Sequence, residues 1–163
     1  DLLENRKEFF GQDIAETLPD ALHWLGVAAI LIHTDSLTSL QTDALRNLLE
    51  QKLGWTAESF RDVLVYPVPA TAKGDGLVVR RGEGWETVTY DQEKNLTLAA
   101  YRGRADVVLI NTGTQPKLVV LSYTLLGRKS AMVEAAPGET VYTFTSSTER
   151  TILTNPTYAI IDN

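Results

Sequence analysis

The sequence predicts an α+β protein: an N-terminal helical segment over residues 1–61, then an antiparallel β-sandwich of the immunoglobulin-like or jelly-roll kind over residues 62–163, with about 8–10 strands. Three observations carry this. Apolar residues recur at three- and four-residue steps as far as Leu53, and at two-residue steps from Asp62 onward. After Asp62, Gly, Pro and Asn punctuate the chain about every 8–12 residues, the spacing of a sandwich or barrel. No helical pattern interrupts that second part, which argues against a parallel α/β sheet.

In the first part, Leu2, Leu3, Phe9, Phe10, Ile14 and Leu18 have rough helical spacing over residues 2–18, weakened at Gly11. Pro19 followed by Asp20 predicts a stop and a restart, with Asp20 as N-cap. Residues 21–32 are apolar almost all round. A helix of that kind is buried on most sides, in this chain or against a neighbour. A buried strand over Val27–Ile32 fits the same residues. Leu22, Trp24, Leu25, Val27, Ile30 and Leu31 are therefore the candidate interface, and the chain is expected to associate with other protein subunits, as a homo-oligomer or a hetero-assembly.

The next helix has the clearest signature. Thr38 and Gln41 have capping-box spacing. Leu37, Leu40, Ala44, Leu45, Leu48, Leu49 and Leu53 share one face, and Gly54 is the expected left-handed terminator. Thr56 is expected to cap a short turn to Arg61.

The strand candidates follow in order. Val63–Val68 is placed at an edge or an end by Pro67. After a loop over Ala70–Gly76 come Leu77–Arg80, a turn at Arg81–Gly84, Trp85–Tyr90 and Leu96–Tyr101. A turn at Gly103–Ala105 precedes Val107–Ile110, and Lys117–Tyr123, Met132–Glu134 and Glu139–Phe144 follow. Thr145–Glu149 reads as a polar loop and Asn155–Pro156 as a turn between Arg150–Leu153 and Thr157–Ile161.

Composition narrows the function classes. Hydrophobic residues make up 44% and charged residues 22%, as in ordinary folded domains. The net charge is -6, so nothing suggests a phosphate footprint and no nucleic-acid partner is expected. Residues 1–61 hold ten acids against five bases, and residues 62–163 hold eleven against ten, so the acidic excess lies in the first part. That pattern suits a solvated face or an acidic docking surface. The absence of Cys removes disulfides, thiolate metal sites and a cysteine nucleophile. The longest apolar run, Leu25–Ile32, is too short to span a bilayer. Asp1–Glu8 is too charged for a signal peptide, and a chain starting without Met is expected to be a processed or trimmed product, with room for a targeting segment ahead of it.

Candidate chemistry is sparse. His23 lies in an apolar stretch, and His33 with Asp35 lacks a nucleophile of recognisable context. No metal-ligand or phosphate-loop spacing occurs, Lys73–Gly76 included. The acids of the second part, Asp75, Glu83, Asp91, Glu93, Asp106, Glu139 and Glu149, are expected mainly in turns. The expectation is a protein that is not an enzyme, with no catalytic, cofactor or metal residues. Arg80 and Arg81 in a tight basic turn, and Trp85 and Tyr90 in a strand, are candidate contacts to a ligand or partner. Five residues apart, Trp85 and Tyr90 should point to opposite faces. An exposed aromatic on a sandwich can stack on a sugar ring, so carbohydrate is a possible partner class.

Val108-Leu-Ile-Asn-Thr-Gly-Thr114, Lys117-Leu-Val-Val-Leu121 and Ala136-Pro-Gly-Glu-Thr-Val141 resemble immunoglobulin-like modules of bacterial surface proteins and of phage virion proteins. There a strand ends in Asn-Thr-Gly and a later Pro-Gly-Glu/Asp-Thr turn feeds the next strand. Asn and Gly tolerate left-handed backbone, and Pro137 before Gly138 suits a type II turn. The likeness covers about forty of 163 residues. It implies a non-catalytic structural component of a larger assembly, such as a capsid, decoration or tail-associated virion protein, located in the virion or at the extracellular surface. A carbohydrate- or ligand-binding surface module is the alternative function, and the cytoplasm the alternative location.

Overall fold

The capping box forms as its spacing requires. The Thr38 side chain accepts from Gln41 N, and the Gln41 side chain accepts from Thr38 N, so two of the donors a helix start leaves unpaired are satisfied. From this cap, α2 (Ser39–Arg46) runs into a π-helical continuation, Asn47–Lys52. Leu53 N reaches Leu48 O across five residues at 3.0 Å, and the wider winding buries Leu48 and Leu49 together. Gly54 ends the element with φ +68°.

The computed structural model describes Phe10, residues 14–69, 76–91 and 93–161. They form two units: residues 14–69 make the first, and Phe10 with residues 76–161 the second. Of the helix expected over residues 2–18, residues 2–9 and 11–13 lie outside the described residues, and so do residues 70–75 of the expected loop, Asp75 among them.

In the first unit, α1 (Ile14–Trp24) contains Pro19, and Asp20 is buried inside it rather than capping a new helix. The stop comes later, at Gly26. Gly26 N bonds His23 O and Val27 N bonds Leu22 O, with φ +69° at Gly26, which is a Schellman ending. The expected apolar helix over residues 21–32 is thus cut in two. Its second half is the strand β1 (Ala29–His33). β2 (Glu58–Phe60) stands where a helical turn was expected, and it forms a hairpin with β3 (Val63–Pro67) through Arg61, at φ +54°. The sheet order is β1-β3-β2, all antiparallel.

That pairing corrects the boundary at Arg61. Val63–Pro67 belongs to the first unit because β1 holds one of its edges. The helical segment is therefore a layer of helices on a sheet. Leu18, Leu22, Leu45, Leu49 and Trp55 pack with Ile30, Ile32, Leu64 and Tyr66.

The second unit is one six-stranded antiparallel sheet that does not close into a barrel. Its order is β4 (Leu77–Arg81), β6 (Leu96–Asn111), β9 (Gly138–Ile161), β7 (Lys117–Thr124) and β8 (Arg128–Ala135), with β5 (Trp85–Asp91) on β6 beside β4. Two expected turns are absent as turns. Gly103, at φ +72°, lies within β6, and residues 146–149 lie opposite it within β9. The ladder skips from Arg102↔Arg150 to Arg104↔Thr145, so the two strands bulge together. Asn155 and Pro156 are likewise a bulge inside β9. The ladder with β7 omits them, Asn155 has φ +46°, and its Oδ1 accepts from Thr97 N at 2.9 Å. Sequence punctuation marks bends in long strands here, and this reduces the expected strand number.

The core of this unit is lined by Leu77, Val79, Ala99, Tyr101, Val107, Leu109, Val119, Leu121 and Leu153. Phe144 is its centre. Phe10 stacks on it at 6.2 Å, and Trp85, Tyr123 and Tyr142 meet it edge-on at 5.8, 5.1 and 5.0 Å. Phe10 therefore belongs with the β unit, although α1 begins four residues after it. Gly138 has φ +92°, as a type II turn after Pro137 requires. Asn111 acts through its side chain instead of a left-handed backbone. Its amide donates to Gln115 O and Ala135 O, and accepts from Gly113 N.

Candidate interaction surface

Pairing in an antiparallel sheet puts partners on one face. In the first unit, Ile30, Ile32, Leu64 and Tyr66 share the face covered by the helices. Ala29, Leu31, His33, Val63, Val65, Pro67, Glu58 and Phe60 share the other. This second face is mainly apolar and open: Leu31 is 58% exposed and Phe60 69%, with half-buried Val63 and Val65 between them. The Arg61 guanidinium lies 5.7 Å from the Phe60 ring centre.

The structure divides the six candidate interface residues. Leu22 and Ile30 pack into the core of the unit, and Val27 is half-buried beside the Schellman ending. Trp24 (39%), Leu25 (64%) and Leu31 remain exposed. Sequence reading missed Phe60 and Val65, because their share in an open face depends on the β2–β3 hairpin. The signal was present in the alternation of Val63, Val65 and Pro67.

The covered face is held by a polar network. Tyr66 is fully buried, and its hydroxyl donates to Glu50 Oε1 at 2.7 Å. Arg46 pairs with the same carboxylate at 3.2 Å. Burial, then the bond to Glu50, pushes the Tyr66 phenol up to about 12. The Tyr66 bond, and after it Arg46, holds Glu50 below the usual carboxylate range. This network fixes the π-helical segment against the sheet.

The second group of candidates is placed differently. Trp85 packs on the core, edge-on to Tyr101 at 5.4 Å, and its indole donates to Asp106 O at 2.7 Å. A bulge between Trp85 and Thr87 shifts the alternation, so Val88 faces the core as Trp85 does, and Tyr90 shares the face of Val88. Trp85 and Tyr90 thus lie on one face and not on opposite faces. Tyr90 donates to Asn95 Oδ1 at 2.9 Å. Arg80 and Arg81 are exposed on β4, and Arg80 makes a 3.5 Å pair with Glu139. The rings of Phe10, Trp85, Tyr101, Tyr123 and Tyr142 meet Phe144, which occupies them in the core.

Among the described residues the acids are not gathered into a site. Asp106 lies in β6 and not in a turn, and is buried beside Arg104 and Thr143. Arg104 donates to both its oxygens, at 3.2 and 3.1 Å, and Thr143 to Oδ1 at 2.7 Å. The Arg104 bonds, then the Thr143 bond, hold its carboxyl low. Glu86 is shared by Arg150 and Arg102 at 2.9 and 3.4 Å. Among the described residues no group of three His, Asp or Glu could hold a metal ion, and no helix is long and apolar enough to cross a membrane.

Comparison with protein-family models, with curated proteins and with solved structures found no match.

Proposed function

We propose that this chain is a non-catalytic structural component of a larger protein assembly, of the kind found in phage virions, with the virion or the extracellular surface as its place of work. The observation that carries the reading is the open apolar face of the first unit, where Leu31 and Phe60 stand exposed on either side of Val63 and Val65. Sheet faces of this composition mark surfaces that another protein covers. The second unit we read as a sandwich of the immunoglobulin-like or jelly-roll kind. The bent long strands β6 and β9, the aromatic core and the Pro137–Gly138 turn support that reading.

The test is sedimentation of the full chain from about 1 to 100 µM, a range that spans weak to moderate association, beside the double variant Leu31→Asp, Phe60→Asp. The wild type is expected to sediment as a multimer at the upper end and the variant to shift toward monomer. A wild type that is monomeric throughout, and indistinguishable from the variant, refutes the reading.

A further inference from the structure

Among the described residues, the open face ends at a strand edge that its own sheet leaves unpaired: β1 has one neighbour there, β3. Thr34 N donates to Asp62 O, and Val68 N to Ala28 O. Hydrogen-bonded pairs recur at every second residue of an antiparallel ladder. Ile30 and Ile32 therefore turn their backbone groups toward β3, and Ala29, Leu31 and His33 turn theirs outward. The same parity explains Pro67: the donor it lacks would point toward β2, which ends at Glu58, opposite Val65.

We infer that the β1 edge pairs with the β1 edge of a second copy of this chain, antiparallel about a two-fold axis at Leu31, joining two three-stranded sheets into one of six strands. The inference rests on the assembly reading and names the partner of that surface. Three observations support it. Sheets protect free edges with Pro, Lys, bulges or very short strands. β1 has none of these over Ala-Ile-Leu-Ile-His, whereas the opposite edge strand, β2, is three residues long and carries Glu58. The register is self-complementary. Leu31 meets its counterpart and exchanges both backbone bonds, and Ala29 meets His33 of the other copy. No two charges of like sign face each other across the join, although the first part of the chain is acidic. Finally, pairing at this edge makes the two open faces continuous and brings both exposed Leu31 side chains together on it. Five residues of strand bury much less than the roughly 800 Å² per partner of a standard interface, so the dimer is expected to dissociate in the micromolar range.

The experiment uses the full chain. Ala29→Pro removes one outward donor and leaves the ladder to β3 and the Leu31 side chain in place. It should weaken dimerisation at least about tenfold with its unfolding transition unchanged, and the Leu31 amide of the wild type should gain exchange protection as concentration rises. If Ala29→Pro fails to fold, Leu31→Lys keeps every backbone donor, sets like charges across the axis and should give the same loss. A multimer that withstands both variants overturns the edge pairing and leaves the assembly reading standing. A wild type that stays monomeric, with the Leu31 amide equally protected or equally open at every concentration, overturns the edge pairing together with self-assembly through this face.

Discussion

Replacing Tyr66 by Phe tests how the first unit holds its sheet. The ring stays, so no cavity forms, and only the 2.7 Å bond to Glu50 is lost. A hydrogen bond to a charged group contributes about 1.5–3 kcal/mol. Glu50 keeps Arg46 and is partly exposed to water, so the low end, about 1.5 kcal/mol, is expected at neutral pH. The pH dependence sharpens the test. The folded phenol titrates near 12, above its ordinary 10.0. The contribution is therefore complete below pH 10 and is lost as pH rises toward 12. Glu50 is shifted down, so its share is present above the ordinary carboxylate range and is lost as pH falls through the depressed value. The stability difference between wild type and Tyr66→Phe should be a plateau that narrows at both ends. Urea unfolding followed by tryptophan fluorescence reports it, since Trp55 lies in the same core. A difference under about 0.5 kcal/mol at neutral pH, or one that stays flat into strong alkali, refutes the reasoning.

Phe144→Ala should destabilise the second unit by about 3–5 kcal/mol, because Phe10, Trp85, Tyr101, Tyr123 and Tyr142 all lose a ring neighbour; near-ultraviolet circular dichroism on heating shows it as an earlier loss of aromatic signal. Asn111→Ala deprives Gly113 N, Gln115 O and Ala135 O of their side-chain partner and should cost about 2–4 kcal/mol in urea unfolding. Gly84→Ala puts a Cβ 2.2 Å from Arg104 O at a φ of +85°; the thermal midpoint should fall sharply, and an unchanged midpoint would show that this turn can move.

The sequence by itself determined the elements whose causes are local. The Thr38 capping box, the Gly54 terminator and the Pro137–Gly138 turn depend on residues a few positions apart, and they form as their chemistry requires. So does the change from helical to alternating spacing, which made the α+β class legible. The tertiary structure decided whatever depends on partners distant in the chain. Val27–Ile32 satisfied a helix and a strand equally, and β3 settled the matter by pairing with β1. Gly103 and Asn155 mark turns by local rule, yet the strands opposite them carry on past each bulge and keep the chain extended. Phe10 packs in the second core because Phe144 offers a stacking face there. The interaction surface shows the same division. Leu31 and Phe60 are 29 residues apart, and only the β1-β3-β2 order, through Val63 and Val65, sets both on one open face. Periodicity along a chain reports which residues share a side of one strand, but not which strands lie next to each other.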